Sequence, residues 1–278
     1  MKNILKIMLM MITIFTIAGS AVYAAEIPVS DQDQLITSND WTEISNLQDE
    51  MKKEEPDATI DYDKALKVYV DCNLIKLQTA DTKKLTSALE SANYVWVIPF
   101  KMEKTYGMFT VAKGLPLREE AKSVLTKAEQ EEVKNHVGKW MITEIAEHTV
   151  EPYYDILLEK REALSDCTRV VLVGSQPGMR QPVALGMDDE TARVWISLGY
   201  QYPVMEKIPE TQNVESGVYS FDSVAEISDT YIEDSEVSTG VGVQSRSSMK
   251  YVAGIGIIVI GSILILSVLK KKKLEDYE

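Results

Sequence analysis

The stretch VVLVGSQPGMRQPVALG, Val170–Gly186, decides the fold of this chain, because it joins two apolar runs through a short polar segment. Both runs are rich in valine and leucine at consecutive positions, which is typical of buried β-strands. The join from Gly174 to Gln181 is too short for a crossover helix, so the strands are predicted to pair as an antiparallel hairpin. Pro177 and Gly178 fit the central pair of a type II turn, in which glycine supplies the positive φ.

The polar residues of this join are the candidate contact site. We expect Ser175, Gln176, Arg180 and Gln181 to lie at the surface tip of the hairpin, where they would contact a ligand or a protein partner. Ser175 lacks the G-x-S-x-G context of a nucleophile elbow. A strand, not a helix, follows the two glycines, which disfavours a phosphate or dinucleotide loop. No catalytic residue is predicted.

The chain on both sides of the hairpin alternates between strand-like and helical patterns. Helices are predicted where Asp81 and Thr126 supply N-caps and where Pro152 suits a first turn. We expect an α+β domain over residues 60–205, with a largely antiparallel or mixed sheet of about six to seven strands and two to three packed helices. Pro99 predicts that its own strand lies at a sheet edge or is bulged. The strand segments are KALKVYVDCNLIKL, NYVWVIPFKME, YGMFTVAKG, KWMITEIAEHT, TRVVLVG, PVALGM and ARVWISLG.

The N-terminus has the composition of a secretory signal peptide. Lys2 and Lys6 precede an apolar run, and the small residues that follow suit cleavage after Ala24. Residues 1–24 are therefore predicted to be a signal peptide, and an uncleaved anchor is the alternative.

Residues 25–59 form an acidic, polar lead that is expected to be flexible. A short amphipathic helix is predicted over residues 41–52, with Asp40 as its N-cap and Glu43 completing a capping box. This helix either docks on the domain or mediates a contact with a partner.

The C-terminal region predicts a membrane anchor. Residues 206–250 are rich in serine, threonine, glycine and acid, which indicates a stalk. Residues 251–269 carry no charge and would span about 28 Å as a helix, close to the thickness of a bilayer. The positive-inside rule places the flanking lysines and the basic tail, residues 270–278, in the cytoplasm against the lipid bilayer. These lysines are Lys270, Lys271, Lys272 and Lys273.

Cys72 and Cys167 are the two cysteines of the chain. An even number of cysteines in an exported protein permits a disulfide between them. The alternation of Leu66, Val68 and Val70 with Cys72 instead places Cys72 on the apolar face of a strand, as a small core residue. Both alternatives stay open.

Charge excludes one class of partner. The chain has a net charge of −14, and the predicted signal peptide and tail hold six of its 29 basic residues but three of its 43 acidic ones. The exported part is therefore still more acidic, and nucleic acid is excluded as a partner.

No metal site or cofactor is predicted. His136 and His148 are too far apart for the paired histidines of a zinc helix. Neither Asp61 with Asp63 nor the acidic run 188–190 has the spacing of an EF-hand, and the latter run is predicted to form a hairpin turn.

These patterns predict a single-pass cell-membrane protein with an extracellular N-terminal domain and a cytoplasmic C-terminus. Its organisation resembles that of Gram-positive surface proteins in general. We expect a non-catalytic ectodomain that binds a small ligand or a protein partner, at the cell surface or in the membrane. The alternative is an exported, membrane-tethered, hydrolase-like enzyme that uses the 174–182 loop with Ser175 and His148.

Overall fold

The structure is a computed structural model that describes residues 27–123, 125–148, 151–174, 176, 182–199, 213–215 and 217–229. Its strands are β1 (Thr59–Ile60), β2 (Leu66–Val70), β3 (Asn93–Lys101), β4 (Tyr106–Lys113), β5 (Trp140–His148), β6 (Arg169–Val173), β7 (Val183–Met187), β8 (Ala192–Ser197), β9 (Asn213–Glu215) and β10 (Val218–Ser220). Its α-helices are α1 (Trp41–Ser45), α2 (Gln48–Glu54), α3 (Thr82–Glu90), α4 (Glu119–Lys122), α5 (Lys127–His136), α6 (Tyr153–Glu159) and α7 (Phe221–Asp229).

All of these strands form one sheet, in the order β5-β4-β3-β2-β6-β7-β8-β10-β9. β1 lies on the same side of β3 as β2 and pairs with β3 next to the first residue of β2. β2 and β6 pair in parallel at the centre, with Val68 opposite Leu172, and the other pairs are antiparallel. The sheet thus joins two antiparallel halves along one parallel pair: the meander β2–β5, and β6–β8 extended by the β9–β10 hairpin, in which β10 lies next to β8. The predicted α+β class with a mostly antiparallel sheet is confirmed.

The sheet has more strands than the six to seven predicted, because β9 and β10 come from the predicted stalk and β1 from the end of the predicted lead. The predicted hairpin of β6 and β7 is confirmed, with Val171 opposite Leu185 and both strands buried. Its turn, including Pro177 and Gly178, lies outside the described residues.

Several predicted local signals are confirmed. Asp81 caps α3 by accepting hydrogen bonds from the backbone of Lys83 and Lys84, and Thr126 forms a capping box with Glu129 at the start of α5. KWMITEIAEHT contains a strand, β5. These signals succeed because each depends only on residues a few positions apart.

The prediction that Pro99 places its strand at a sheet edge or in a bulge is wrong. β3 pairs with β4 on one side and with β2 and β1 on the other, and its register with β4 is continuous through Pro99. Along β3, Pro99 lies between the residues that pair with β1 and those that pair with β2. Its carbonyl accepts a hydrogen bond from Asp61 N at 2.9 Å. Proline is tolerated there because no neighbouring strand requires its missing N–H.

The core is divided between the two faces of the sheet, as side-chain alternation along strands requires. One face carries Val68 and Leu172, and it packs against α6 through Leu157. The opposite face packs against α3 and α7 on the β6–β8 side, and against α1 and α2 over β3–β5.

The predicted flexible lead is part of this core. Ile27 and Val29 are buried on the α6 face, whereas Leu35 is buried on the opposite face. Between these residues the chain passes from one face of the sheet to the other. Val170 N donates a hydrogen bond to Pro28 O at 2.8 Å, and Leu35 N donates one to Ala65 O at 3.1 Å. The domain therefore begins at or before Ile27 instead of at residue 60.

The predicted helix over residues 41–52 docks on the sheet, but it is split into α1 and α2. Ile44 and Met51 are fully buried against the β3–β5 part of the sheet. Of the two predicted alternatives, the structure therefore shows docking of this segment on the domain.

Residues 213–215 and 217–229 of the predicted stalk are also folded. Tyr219, Phe221 and Val224 belong to the core, and the Phe221 ring stacks on Trp195 at 5.5 Å between centroids. The domain thus extends to residue 229. Among the described residues no helix has the length and apolar character needed to cross a membrane. The predicted signal peptide, the predicted span 251–269 and its flanking lysines lie outside the described part of the chain.

Cys72 and Cys167 are free thiols in the structure, so the possible disulfide is not formed in it. Cys167 belongs to the core on the α6 face, while Cys72 packs against the opposite cluster. Cys72 does not continue the apolar face of β2, because the strand ends at Val70 and Asp71 has a positive φ of 57°. Burial raises the pKa of both thiols to about 11.

Candidate functional site

Of the four predicted contact residues, Gln176 is described and is not at the surface. Its side chain is buried, with 2 % of the residue exposed. Its Oε1 accepts a hydrogen bond from Leu74 N at 2.9 Å, and its Nε2 donates to Cys72 O at 2.7 Å and to Gly174 O at 3.1 Å. Gln176 therefore ties the segment after β2 to the end of β6, and its predicted position at the surface tip of the hairpin is wrong. Ser175, Arg180 and Gln181 lie outside the described residues.

An open groove of about 500 Å³ lies beside β1, and we call it the Trp41 groove. It is built by two parts of the chain that are distant in sequence: the turn before α1 with the start of α1, and β1 with the turn that follows it. The end of β3 closes it. Its lining residues are Ile36, Trp41, Thr59, Ile60, Asp61, Tyr62, Asp63 and Lys101.

An aromatic pair forms the wall of the groove. The rings of Trp41 and Tyr62 meet edge to face, with centroids 5.2 Å apart and planes at 72°. Both residues are half-buried, and the Tyr62 hydroxyl contacts the sulfur of Met51 at 3.7 Å. Burial raises the pKa of Tyr62, so this hydroxyl stays neutral at physiological pH. The aromatic pair is therefore packed against Met51 on one side and partly exposed to solvent on the other.

Two carboxylates lie on the groove and are unequally neutralised. Asp61 is 3.6 Å from Lys64, but Lys64 makes its shorter contact, 2.9 Å, with Asp155. Asp63 is exposed and has no ion-pair partner among the residues that the structure describes. The ammonium of Lys101 lies over the Tyr106 ring, 5.7 Å from its centroid. The groove thus combines aromatic surface with negative charge.

A buried ion network holds the chain that leads to the groove. Asp33 accepts hydrogen bonds from Tyr69 (2.8 Å), Ser30 (2.6 Å) and Arg169 (3.1 Å), and Lys67 lies 3.5 Å from it. Burial would raise the pKa of Asp33, but these hydrogen bonds and the two cations outweigh burial and lower it. The segment that crosses the sheet is therefore fixed at Asp33, two residues before the turn that carries Ile36.

Lys67 is enclosed by aromatic rings on the same face. Its ammonium lies 4.6 Å from the centroid of Tyr94, 5.2 Å from that of Trp96 and 5.8 Å from that of Tyr69. A cation over aromatic faces is stabilised by the ring quadrupoles. The ammonium is therefore held by three rings and the carboxylate of Asp33.

A second carboxylate fixes the start of α1. Asp40 does not form the predicted capping box, since its side chain makes no cap bond. Its Oδ2 instead accepts hydrogen bonds from the Tyr94 hydroxyl at 2.8 Å and from Trp96 Nε1 at 3.0 Å. The residue next to Trp41 is thus bonded directly to β3.

The acidic run 188–190 forms the hairpin turn between β7 and β8, as predicted. The Asp188 carboxylate accepts backbone hydrogen bonds from Glu190 at 2.8 Å and Thr191 at 2.7 Å. Throughout the described ranges, no group of three or more histidine, cysteine or acidic side chains lies close enough to hold a metal ion.

Glu144 is the acidic side chain whose titration we expect to affect stability near neutral pH. It lies on β5 opposite Thr110, and burial raises its pKa to about 7, partly offset by a hydrogen bond from Thr110. Between its ordinary pKa of 4.5 and this value the folded state binds more protons than the unfolded state, so stability falls as pH rises. Glu144→Gln should therefore be about 3 kcal/mol more stable than the parent near pH 8, and equal to it near pH 4.

Urea unfolding at both pH values measures this difference, with the exposed Glu103→Gln as the control. A Glu144→Gln variant that gains nothing near pH 8 would show that the carboxylate is well solvated.

The chain matches no protein-family model, no curated protein and no solved structure at a significant level. In the sequence, Asp61 and Asp63 are assessed only as a calcium pattern, and Trp41 only as part of the helix predicted to dock on the domain or to contact a partner. The signal that could have revealed the groove is the triplet Asp61-Tyr62-Asp63, in which an aromatic residue is flanked by two acids.

Proposed function

We propose that this chain is a single-pass cell-surface protein whose non-catalytic α+β domain binds a ligand outside the cell, and that the Trp41 groove is the binding site. The observation that carries the proposal is the half-buried pair of Trp41 and Tyr62 beside the exposed Asp63, in a groove of about 500 Å³. Ligand sites in proteins have this size and this combination of apolar walls with a few polar groups.

The location is supported by the sequence patterns of a signal peptide and an apolar span. An exported domain on a stalk presents its grooves to the surroundings of the cell. The groove is formed by described elements of the domain, and none of its lining residues belongs to the predicted anchor or tail.

The alternative of a hydrolase-like enzyme at the 174–182 loop gains no support from the described residues. The one described member of the candidate set in that loop, Gln176, is buried and holds the backbone together. A binding role is therefore the proposal that the geometry favours.

The test uses the full chain in detergent, screened against a mixed panel of peptides and oligosaccharides. We expect Trp41→Ala to weaken binding of any retained probe by about tenfold or more, because an aromatic anchor contributes 1–2 kcal/mol or more to such sites. Ile36→Ser, at an exposed lining residue, should weaken it less.

The control is Leu158→Ala, which truncates an exposed apolar side chain on α6, at the opposite face of the sheet. It should leave affinity unchanged. If the probes that bind the parent protein bind Trp41→Ala and Ile36→Ser equally tightly, the groove is not the binding site.

A further inference from the structure

Resting on that proposed function, we infer that the Trp41 groove takes a basic side chain of an extended peptide segment. The lysine or arginine would lie beside the Trp41–Tyr62 pair, with its charge against Asp63 and Asp61. The peptide backbone would run along β1. The partner is thus a protein outside the cell that presents a basic, extended segment.

The same domain already holds a lysine in this way. Lys67 lies over the rings of Tyr94 and Trp96 at 4.6 and 5.2 Å, and its charge is met by a carboxylate at 3.5 Å. The Trp41 groove brings together the same types of group, a tryptophan, a tyrosine and an aspartate, with one side open to solvent. An ammonium or guanidinium supplied from outside would complete the arrangement.

Charge complementarity favours a cation over a neutral or acidic ligand. Asp63 has no cation partner in the described part of the chain, and Asp61 shares Lys64 with the closer Asp155. Lys101 is the basic residue of the lining, so with Asp61 and Asp63 the lining carries a net charge of −1. The net charge of −14 would further steer cationic partners toward the domain.

The backbone of β1 favours a peptide over a free amine. Thr59 and Ile60 line the groove and pair with β3 on one side. The described pairings of β1 include no strand on its other side. A strand edge of this kind can add an extended peptide, whose main chain supplies affinity while alternate side chains enter pockets.

The experiment titrates the full chain in detergent with blocked hexapeptides of alternating lysine and valine, glutamine and valine, or glutamate and valine, and with cellohexaose. Tryptophan fluorescence and calorimetry report binding. We expect the lysine peptide to bind about tenfold more tightly than the glutamine peptide, and the glutamate peptide not to bind.

Matched charge reversals separate the groove from the general acidity of the domain. Asp63→Lys should weaken the affinity for the lysine peptide about tenfold or more, whereas Asp57→Lys should leave that affinity nearly unchanged. Asp57 is also exposed, lies six residues away in sequence and is outside the groove lining. Equal losses in the two variants would mean non-specific attraction and would overturn the inference.

The remaining outcomes distinguish this inference from the proposed function. If the glutamine peptide or cellohexaose binds as well as the lysine peptide, and Trp41→Ala abolishes that binding, the groove is a binding site but the basic peptide is wrong. If no probe binds in a manner that depends on Trp41, both proposals fall.

Discussion

Replacing Asp33 with asparagine is expected to lower the free energy of unfolding by about 3 kcal/mol, the lower end of the range for removing one member of a buried ion pair. Asp33 is 2 % exposed and lies between Lys67 and Arg169, whose side chains are 11 % and 28 % exposed. Asparagine keeps the size of the side chain but removes its negative charge. Two cations then remain at the sheet without the carboxylate that neutralises them.

Urea unfolding of the full chain in detergent, followed by tryptophan fluorescence, measures this loss. Asp31→Asn is the matched control, because Asp31 belongs to the same 3-10 turn and its side chain is exposed. It should change stability by less than about 0.5 kcal/mol. Equal stabilities of the two variants would mean that water or another group neutralises the cations.

The pH dependence gives a second readout of the same network. The pKa of Asp33 is lowered in the folded state, so its contribution is present above its unfolded value of 3.8 and is lost as pH falls through the folded pKa. The parent protein should therefore lose stability in acid more steeply than Asp33→Asn. Parallel acid limbs for the two proteins would contradict a depressed pKa.

Parts of the sheet were predictable because their signals are local. The hairpin of β6 and β7, the capping box at Thr126 and the cap at Asp81 each depend on a few consecutive residues. The parallel pairing of β2 with β6 depends instead on segments about a hundred residues apart. Nothing in the alternation of either strand specifies that partner.

Composition mispredicts the ends of the domain, because a polar and acidic segment can still be ordered. Residues 27–58 are polar and acidic, yet Ile27, Val29 and Leu35 are buried on two different faces of the sheet. A segment that crosses a sheet needs few apolar residues, since its backbone can pair with strands and its acids with buried cations.

The candidate site could not be predicted for a related reason. The alternation of β2 would place Lys67 and Tyr69 on a solvent face, opposite Val68. The structure covers that face with the N-terminal segment, and Asp33 then neutralises Lys67 from 34 positions earlier in the chain. The groove is a consequence of this long-range packing, because Ile36 and Trp41 both follow Asp33 in that segment.

Replacing Asp40 with alanine is expected to cost about 2–4 kcal/mol of unfolding free energy and to weaken binding in the Trp41 groove. Alanine leaves the Tyr94 hydroxyl and the indole N–H of the fully buried Trp96 without their acceptor. Hydrogen bonds to a charged group contribute about 1.5–3 kcal/mol each, and an orphaned buried donor adds to the loss. Asp40→Asn is the matched variant: both bonds go to Oδ2, so one amide oxygen can accept them, and the cost should be about 1 kcal/mol.

A double-mutant cycle with Tyr94→Phe distinguishes this tertiary role from helix capping. If Asp40 acted on α1 alone, as the capping-box pattern suggests, the stability losses caused by removing Asp40 and by removing the Tyr94 hydroxyl would be additive. The observed bond at 2.8 Å predicts instead a coupling of about 1–2 kcal/mol between the two changes. Because Trp41 follows Asp40 directly, Asp40→Ala should also reduce groove affinity in proportion to the freedom gained by the Trp41 ring. Additive losses, or an unchanged groove, would show that α1 is held to the sheet by Ile44 and its apolar neighbours without Asp40.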